Sequence, residues 1–289
     1  MPKLKFSQSL KTHKMLIEIF NVFNRINSHK IVEVSFCVSS KSFKVLIPSD
    51  SIWGVVRGVL LDREYEYLPE FELHNYRNGI IIDAGAHVGL FSIMASLFAK
   101  EVIAIEPHPI NFMLLKANMR RNNIRNVVTL NRALWPIRGQ YELFEGNSSD
   151  KNTLLPNGYN AYTYKVSTVT LSDLIKKYGK IDLLKMDIEG AEFPVIMHAK
   201  NEELKCINAI VGELHFKYGN VKRILNRLKK AGFSVRYFYL PLWERRAKFE
   251  YKIKLYSLMW IKALRDLAKL ASSIIRYRYK DLAIFFALR

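Results

Sequence analysis

The sequence predicts an α/β protein built on an open, doubly wound, mostly parallel sheet, and three stretches predict it. Gly79-Ile80-Ile81-Ile82-Asp83-Ala84-Gly85-Ala86-His87-Val88-Gly89 is an apolar run that ends in an acid and two glycines, ahead of the helical Leu90-Phe91-Ser92-Ile93-Met94-Ala95. Val102-Ile103-Ala104-Ile105 is a second run, closed by Glu106 and the breaker Pro107. The third, Ile181-Asp182-Leu183-Leu184-Lys185-Met186, is closed by Asp187-Ile188-Glu189-Gly190-Ala191-Glu192. Short continuous apolar runs bounded by turn residues read as strands buried on both faces. In such a sheet the carboxyl ends of the strands form one rim, and ligands bind there.

The other elements follow in chain order. Within residues 1–60, Met15, Ile17, Ile19-Phe20, Val22-Phe23 and Ile26 keep helical spacing. After them, residues 31–36 and 42–47 alternate as strands around the turn-prone Ser39-Ser40-Lys41. This extension is expected to pack on the main domain, residues 61–257. Parallel strands are expected at 80–83, 102–105, 127–130, 183–186, 209–215 and 234–239, and helices at 111–122 and 221–230, the latter ended by Gly232. Residues 139–170 read as strands and a polar loop, placed where an insertion could contact substrate. Phe249-Tyr251-Ile253-Leu255 alternates with Glu250-Lys252-Lys254 as a last, antiparallel strand.

Residues 258–289 are expected to form a basic amphipathic helix. Ile261, Leu264, Leu267-Ala268, Ala271 and Ile274-Ile275 lie opposite Lys262, Arg265, Lys269, Ser273 and Arg276, and the chain closes with the apolar Leu282-Ala283-Ile284-Phe285-Phe286-Ala287-Leu288. Such a helix docks on the body, on a second subunit or on an anionic membrane surface.

The motif loop suits a nucleoside. Gly85 and Gly89 carry no Cβ to hold a ligand away from the backbone. Their spacing, with Ala-His-Val between, is not the dinucleotide fingerprint G-x-G-x-x-G. Glu106 stands at the end of the next strand, where a carboxylate can accept both hydroxyls of a ribose. A nicotinamide cofactor and S-adenosylmethionine both carry one, and the glycine spacing favours the second. Further along, Ala209-Ile210-Val211-Gly212-Glu213-Leu214-His215 is a strand with Glu213 and His215 on the same rim.

Together these residues carry a family resemblance. Ile82-Asp83-Ala84-Gly85-Ala86-His87-Val88-Gly89 resembles the first motif of S-adenosylmethionine-dependent methyltransferases, and the chain is similar, more narrowly, to the FkbM-type family. The matching pieces are Tyr65-Glu66, Glu106-Pro107-His108-Pro109 with Asn111, Leu115 and Asn118, Ala133-Leu134, Leu184 to Glu192, and Glu213-Leu214-His215. His87 stands where the family more often has Asn, so a polar side chain is kept. The resemblance implies a seven-stranded, Rossmann-like methyltransferase sheet with a reversed final strand. It also implies methyl transfer from S-adenosylmethionine, chiefly to an oxygen of a small molecule, sugar or glycolipid. The cofactor side would comprise Asp83, Gly85, Ala86, His87, Gly89, Glu106, Pro107 and Asn111. Candidate catalytic groups are Asp187, Glu189, Glu213 and His215, the last for its usual titration near neutrality. Several acids with a His could instead hold a divalent cation that activates the acceptor.

Composition adds an unusual charge: 45 Lys plus Arg against 26 Asp plus Glu, a net +19. A balance this basic suits a polyanionic neighbour or merely crowded solvated faces. It keeps two rival functions open, an RNA or other nucleic-acid methyltransferase and a cofactor-binding, membrane-associated protein without turnover. Against the first, a base-amino methylase would be expected to resemble its family with an Asn/Asp-Pro-Pro-aromatic run after the fourth strand. Here Asp187-Ile188-Glu189-Gly190 is acidic, a poor platform for a flipped base. Cys37 and Cys206 have no disulfide framework or metal spacing. The N-terminus lacks a signal-peptide pattern, and no uncharged apolar run reaches the roughly eighteen residues of a membrane span. The expected location is therefore cytoplasmic, with peripheral contact at the inner membrane face as the tail's alternative.

Overall fold

The computed structural model describes residues 31–38, 41–146, 148–156, 162–239 and 282–289. Its centre is a seven-stranded sheet. The strands are β3 (Ile80–Ala84), β4 (Glu101–Ile105), β5 (Val127–Leu130), β9 (Ile181–Met186), β10 (Ile207–His215), β11 (Ser234–Tyr239) and β12 (Leu282–Leu288). Their spatial order is β11-β12-β10-β9-β3-β4-β5. The pairs β3–β4, β4–β5, β3–β9 and β9–β10 are parallel, whereas β12 runs antiparallel to both β10 and β11. From β3 the chain goes outward to β4 and β5 on one side, then returns to β9 on the other. The carboxyl ends of β3 and β9 are thus the point where strand order reverses, the usual crevice of an open α/β sheet.

Alternation across the pleat divides the core in two. Ile81, Val102, Ala104, Leu183, Val211, Ile284 and Phe286 face one layer. Ile82, Ile103, Ile105, Leu184, Ile210, Phe285 and Ala287 face the other. A strand with both faces buried needs apolar residues at every position, which is why these segments read as unbroken runs. Helices α2 (Leu90–Ser96) and α3 (Pro109–Arg121) pack on the first layer. Helices α5 (Glu192–His198), α6 (Asn201–Lys205) and α7 (Val221–Lys230) pack on the second, as does α4 (Leu171–Tyr178), started by a Thr170–Asp173 capping box.

The expected hairpin is present as β1 (Ile31–Val38) and β2 (Lys41–Pro48), paired antiparallel and followed by a short helix, α1 (Ile52–Val56). It docks on α3 through two amides one turn apart. Asn122 exchanges hydrogen bonds with the backbone of Lys44, both at 2.9 Å. Asn118 does the same with Leu46, at 2.8 and 3.0 Å, and also donates to Val88 O at 2.9 Å. The helix thus satisfies alternate backbone positions of a strand edge that would otherwise stay open.

The last strand corrects the reading of the tail. Residues 282–288 are not the end of a helix; they form β12, inserted between β10 and β11 with Ala283 to Ala287 almost wholly buried. Gly212 faces Phe285 in the register, and a Cβ there would meet Met186 O at 2.2 Å and the Phe285 ring at 3.0 Å. Arg289 locks the end by donating to Ala231 O at 2.7 Å. The helical pattern at 15–26, the alternating 249–255 and the amphipathic stretch 258–281 lie outside the described residues. Among the described residues, no helix is long and apolar enough to cross a membrane.

The expected strands in 139–170 are β7 (Gln140–Phe144) and β8 (Thr163–Val169), which join β6 (Ala133–Leu134) in a small three-stranded sheet.

Candidate active site

At the switch point, the turn after β3 folds over the end of β4. Gly85 and Ala86 both donate to Ile105 O at 3.0 Å, and Gly89 N returns to Ala86 O at 2.8 Å. Gly85, His87 and Gly89 all take positive φ (75°, 51° and 89°). At Gly85 there is also no room: a Cβ would sit 1.8 Å from the Asp187 carbonyl oxygen. The β3 and β9 loops therefore touch backbone to backbone, and Asp187 N donates to Ala84 O at 3.1 Å.

A cavity of about 450 Å³ opens over this junction, within the range usual for small-molecule sites. Its lining includes Gly85, Ala86, His87, Glu106, Pro107 and Asn111 from the predicted cofactor side, and Asp187, Glu189, Glu213 and His215 from the predicted catalytic side. Asp83 and Gly89 do not line it. Asp83 is fully buried behind the loop, where it accepts from Ser92 Oγ at 2.6 Å and pairs with Lys185 Nζ at 3.2 Å. Gly89 leads into α2, where a Cβ would strike Leu115 and Met119.

Glu106 accepts His87 N on one carboxylate oxygen (2.8 Å) and His108 N on the other (2.9 Å). Burial, only partly offset by these amides, pushes it up to about 7. Burial together with Lys185 and His108 drives His87 down to about 3, so it is a neutral imidazole. Nδ1 of His87 and Oδ1 of Asn111 are buried and carry no hydrogen bond among the described residues. The insertion after β7 covers this end through Ser149: its carbonyl accepts from Asn111 at 2.7 Å, and its hydroxyl lies 3.2 Å from His87 Nε2 and donates to Asp50 at 2.8 Å.

The other end is a cluster of acids around Tyr65. The segment before β3 runs through short 3₁₀ turns braced by the buried Glu66, which pairs with Arg63 and accepts Leu73 N at 2.8 Å. These turns aim the Tyr65 hydroxyl at Asp187 Oδ2, 2.8 Å away, with Glu213 Oε1 at 3.4 Å. Burial and the Asp187 and Asp62 charges push Glu64, also in the cavity wall, up to about 8. Burial and the same crowding raise Glu213 strongly and Asp187 in direction, with Lys185 opposing the shift at Asp187.

His215 departs from the near-neutral titration expected of it. Its Nε2 lies 3.2 Å from Glu189 and 3.8 Å from Glu213, and its Nδ1 lies 3.6 Å from Glu192. Burial alone would lower it, but these carboxylates hold it well above the usual range as an imidazolium. Burial in turn lifts Glu189, and the His215 charge more than offsets that lift, leaving Glu189 lowered. Glu192 accepts Ile188 N and Gly190 N at 2.7 and 2.8 Å, so it caps the β9 loop rather than facing substrate. Asp187, Glu213 and His215 offer ligand atoms within 4.8 Å of one another. A divalent cation held there would first have to displace the imidazolium proton.

Lys185, Glu64 and Tyr65 join the site without having been singled out for it. Lys185 sits inside a run that reads as strand core, and the signal that could have found it is a charge in an otherwise apolar strand.

The chain is similar in sequence to known methyltransferases. The sequence profile of the Methyltransferase FkbM domain matches residues 83–235. Methyltransferase sdnD of Sordaria araneosa is 27% identical over 216 residues, covering 61% of this chain and 83% of that protein. The 31-O-demethyl-FK506 methyltransferase FkbM of Streptomyces tacrolimicus is 26% identical over 189 residues, covering 54% and 73%. Among solved structures, methyltransferase FkbM from Methylobacillus flagellatus KT is 15% identical and covers 56% of this chain and 40% of that one, with a TM-score of 0.39.

Proposed function

The chain belongs to the FkbM methyltransferase family, and from that premise we propose that it transfers a methyl group from S-adenosylmethionine to a hydroxyl of a small molecule, sugar or glycolipid. The observation that supports this reading is one cavity that joins the β3 loop and Glu106, suited to a nucleoside, to a cluster of acids around Asp187. The nucleoside end fits the cofactor. Glu106 keeps lone pairs beyond its two amide bonds for a ribose, and the orphaned His87 Nδ1 and Asn111 Oδ1 await polar partners.

S-adenosylmethionine supplies the electrophilic methyl and, as the carbon–sulfur bond breaks, takes the electron pair on sulfur. The protein's part is to hold the acceptor oxygen in line and to take its proton. Asp187 suits the second task. It is partly exposed to the cavity, and the Tyr65 hydroxyl donates to its carboxylate at 2.8 Å. His215, kept cationic by Glu189, serves to fix the acids rather than to accept the proton. The excess of carboxylates at this end favours a neutral or cationic acceptor over an anionic one.

Incubation with methyl-labelled S-adenosylmethionine and a cell extract tests the reading. Label is expected in a small-molecule or glycolipid fraction. Label confined to RNA, or no transfer at all, would overturn it.

A further inference from the structure

Lys185 is a buried charge that the chemistry above leaves without a task of its own. Its side chain is 4% exposed, yet it borders the cavity. Nζ lies 3.2 Å from Asp83 Oδ1, donates to Gly85 O at 2.9 Å, and lies 3.9 Å from Asp187 Oδ2. It also sits 5.1 Å from the centroid of the Tyr65 ring. An ammonium has three donors and no acceptor, so carboxylates and carbonyls are the groups that can anchor it. Asp83, buried behind the loop, and the Gly85 carbonyl do so from the β3 side, beneath the nucleoside end of the cavity. The remaining partners, Asp187 and Tyr65, belong to the acidic end. Fold stability alone is a weak reason for such a group, because an apolar replacement of a buried ion pair is often neutral or stabilising.

We propose that Lys185 is a positioning residue: anchored by Asp83 and the Gly85 carbonyl, its ammonium sets the place of the Asp187 carboxylate and the Tyr65 ring, so that the loop under the cofactor and the groups facing the acceptor are built as one unit. The inference rests on the two-ended reading of the cavity given above.

The test compares the wild-type chain with Lys185→Met, Lys185→Ala, Asp187→Asn and Lys185→Met/Asp187→Asn. S-adenosylhomocysteine affinity is measured by calorimetry, and turnover is measured on the acceptor fraction that takes label. Lys185→Met is expected to keep cofactor affinity within about threefold while turnover at saturating cofactor falls about a hundredfold. The double variant is expected to be no slower than Asp187→Asn by more than about threefold, because both changes remove the same unit. Ethylammonium should restore part of the turnover of Lys185→Ala, where it can occupy the vacated space, and none of Lys185→Met. Additive losses, equal loss of cofactor affinity and turnover, or no response to the amine would overturn the inference. So would wild-type turnover in Lys185→Met. Thermal unfolding is followed in parallel. If Lys185→Met does not fold, Asp83→Asn/Lys185→Met, which removes both charges, replaces it with the same expectations. A wild-type protein that binds no S-adenosylhomocysteine would overturn the cofactor reading and this inference together, a result distinct from those above.

Discussion

The Tyr65 hydroxyl donates to Asp187 at 2.8 Å across 122 residues of sequence. The bond joins the 3₁₀ turns ahead of the sheet to the loop that closes β9, and so completes the acidic end of the cavity from a segment outside the strand-and-helix repeat. Burial and the carboxylates of Asp187 and Glu213 hold Tyr65 well above its usual value, which keeps it a neutral donor. Its ring also packs edge-on to Phe91 in α2 at 5.7 Å, so the hydroxyl is held from both sides.

Loss of that bond should be felt in turnover rather than in cofactor binding. Tyr65→Phe is expected to slow methyl transfer about tenfold, the worth of one hydrogen bond to a charged acceptor. Asp187→Asn removes the proposed proton acceptor and should slow it by about 10²–10⁴-fold. S-adenosylhomocysteine affinity should change by no more than a few-fold in either. Steady-state kinetics beside calorimetry decides, and wild-type turnover in both variants would make these groups structural.

Two glycines with nearly the same φ separate crowding from backbone strain. Gly85 (75°) has the Asp187 carbonyl in the way of a Cβ, whereas Gly179 (74°) has nothing within 4 Å. Gly179→Ala should therefore cost about 1–2 kcal/mol in urea denaturation. Gly85→Ala should cost more than about 3 kcal/mol or fail to fold. Equal losses would mean the two loops separate easily.

Glu64 predicts a pH dependence of stability. Burial and the Asp187 charge raise it from 4.5 to about 8 in the folded chain, so the native state binds more protons than the unfolded one between those values. Stability from this group is therefore full below the unfolded value and declines as pH rises through the folded one. Glu64→Gln removes the decline. Its stability advantage over the wild type should grow by about 1–2 kcal/mol between pH 5 and pH 8, discounted because the carboxyl borders an open cavity. Parallel denaturation curves at the two pH values check this, and a constant difference would contradict it.

The rim of the sheet was legible because its signals are local. An apolar run ending in an acid marks β3, β4, β9 and β10, and Glu106, Asp187, Glu213 and His215 all line the cavity. Asp83 looked the same in sequence but pairs with Lys185 beneath the loop, because it shares the face of Glu106 and Asp187 yet lies one pleat further back, in register with Ala104 and Lys185. The tail was misread for a different reason. Leu282 to Leu288 is a short apolar run, which periodicity cannot assign to helix or strand, and only its pairing with β10 and β11 decides. Tyr65 and Lys185 could not be given roles from spacing, since their partners arrive from distant loops.

That final strand should be indispensable. Phe285 and Phe286 are almost wholly buried on opposite faces of the sheet, one in each core layer. Either one changed to Ala should cost about 3–5 kcal/mol. Deletion of residues 282–289 leaves β10 and β11 without the strand that joins them, and should abolish cooperative thermal unfolding. A truncated chain that melts like the full one would show that β12 is only an added edge.

Calorimetric titration of the wild type and Glu106→Ala with S-adenosylhomocysteine and with NAD tests the nucleoside end of the cavity most directly. Wild-type protein is expected to bind S-adenosylhomocysteine and to prefer it over NAD. Glu106→Ala should weaken that binding by about 1.5–3 kcal/mol for each ribose hydrogen bond lost. Preference for NAD, or an affinity for S-adenosylhomocysteine that Glu106→Ala leaves unchanged, would contradict a methyl-donor site at Glu106.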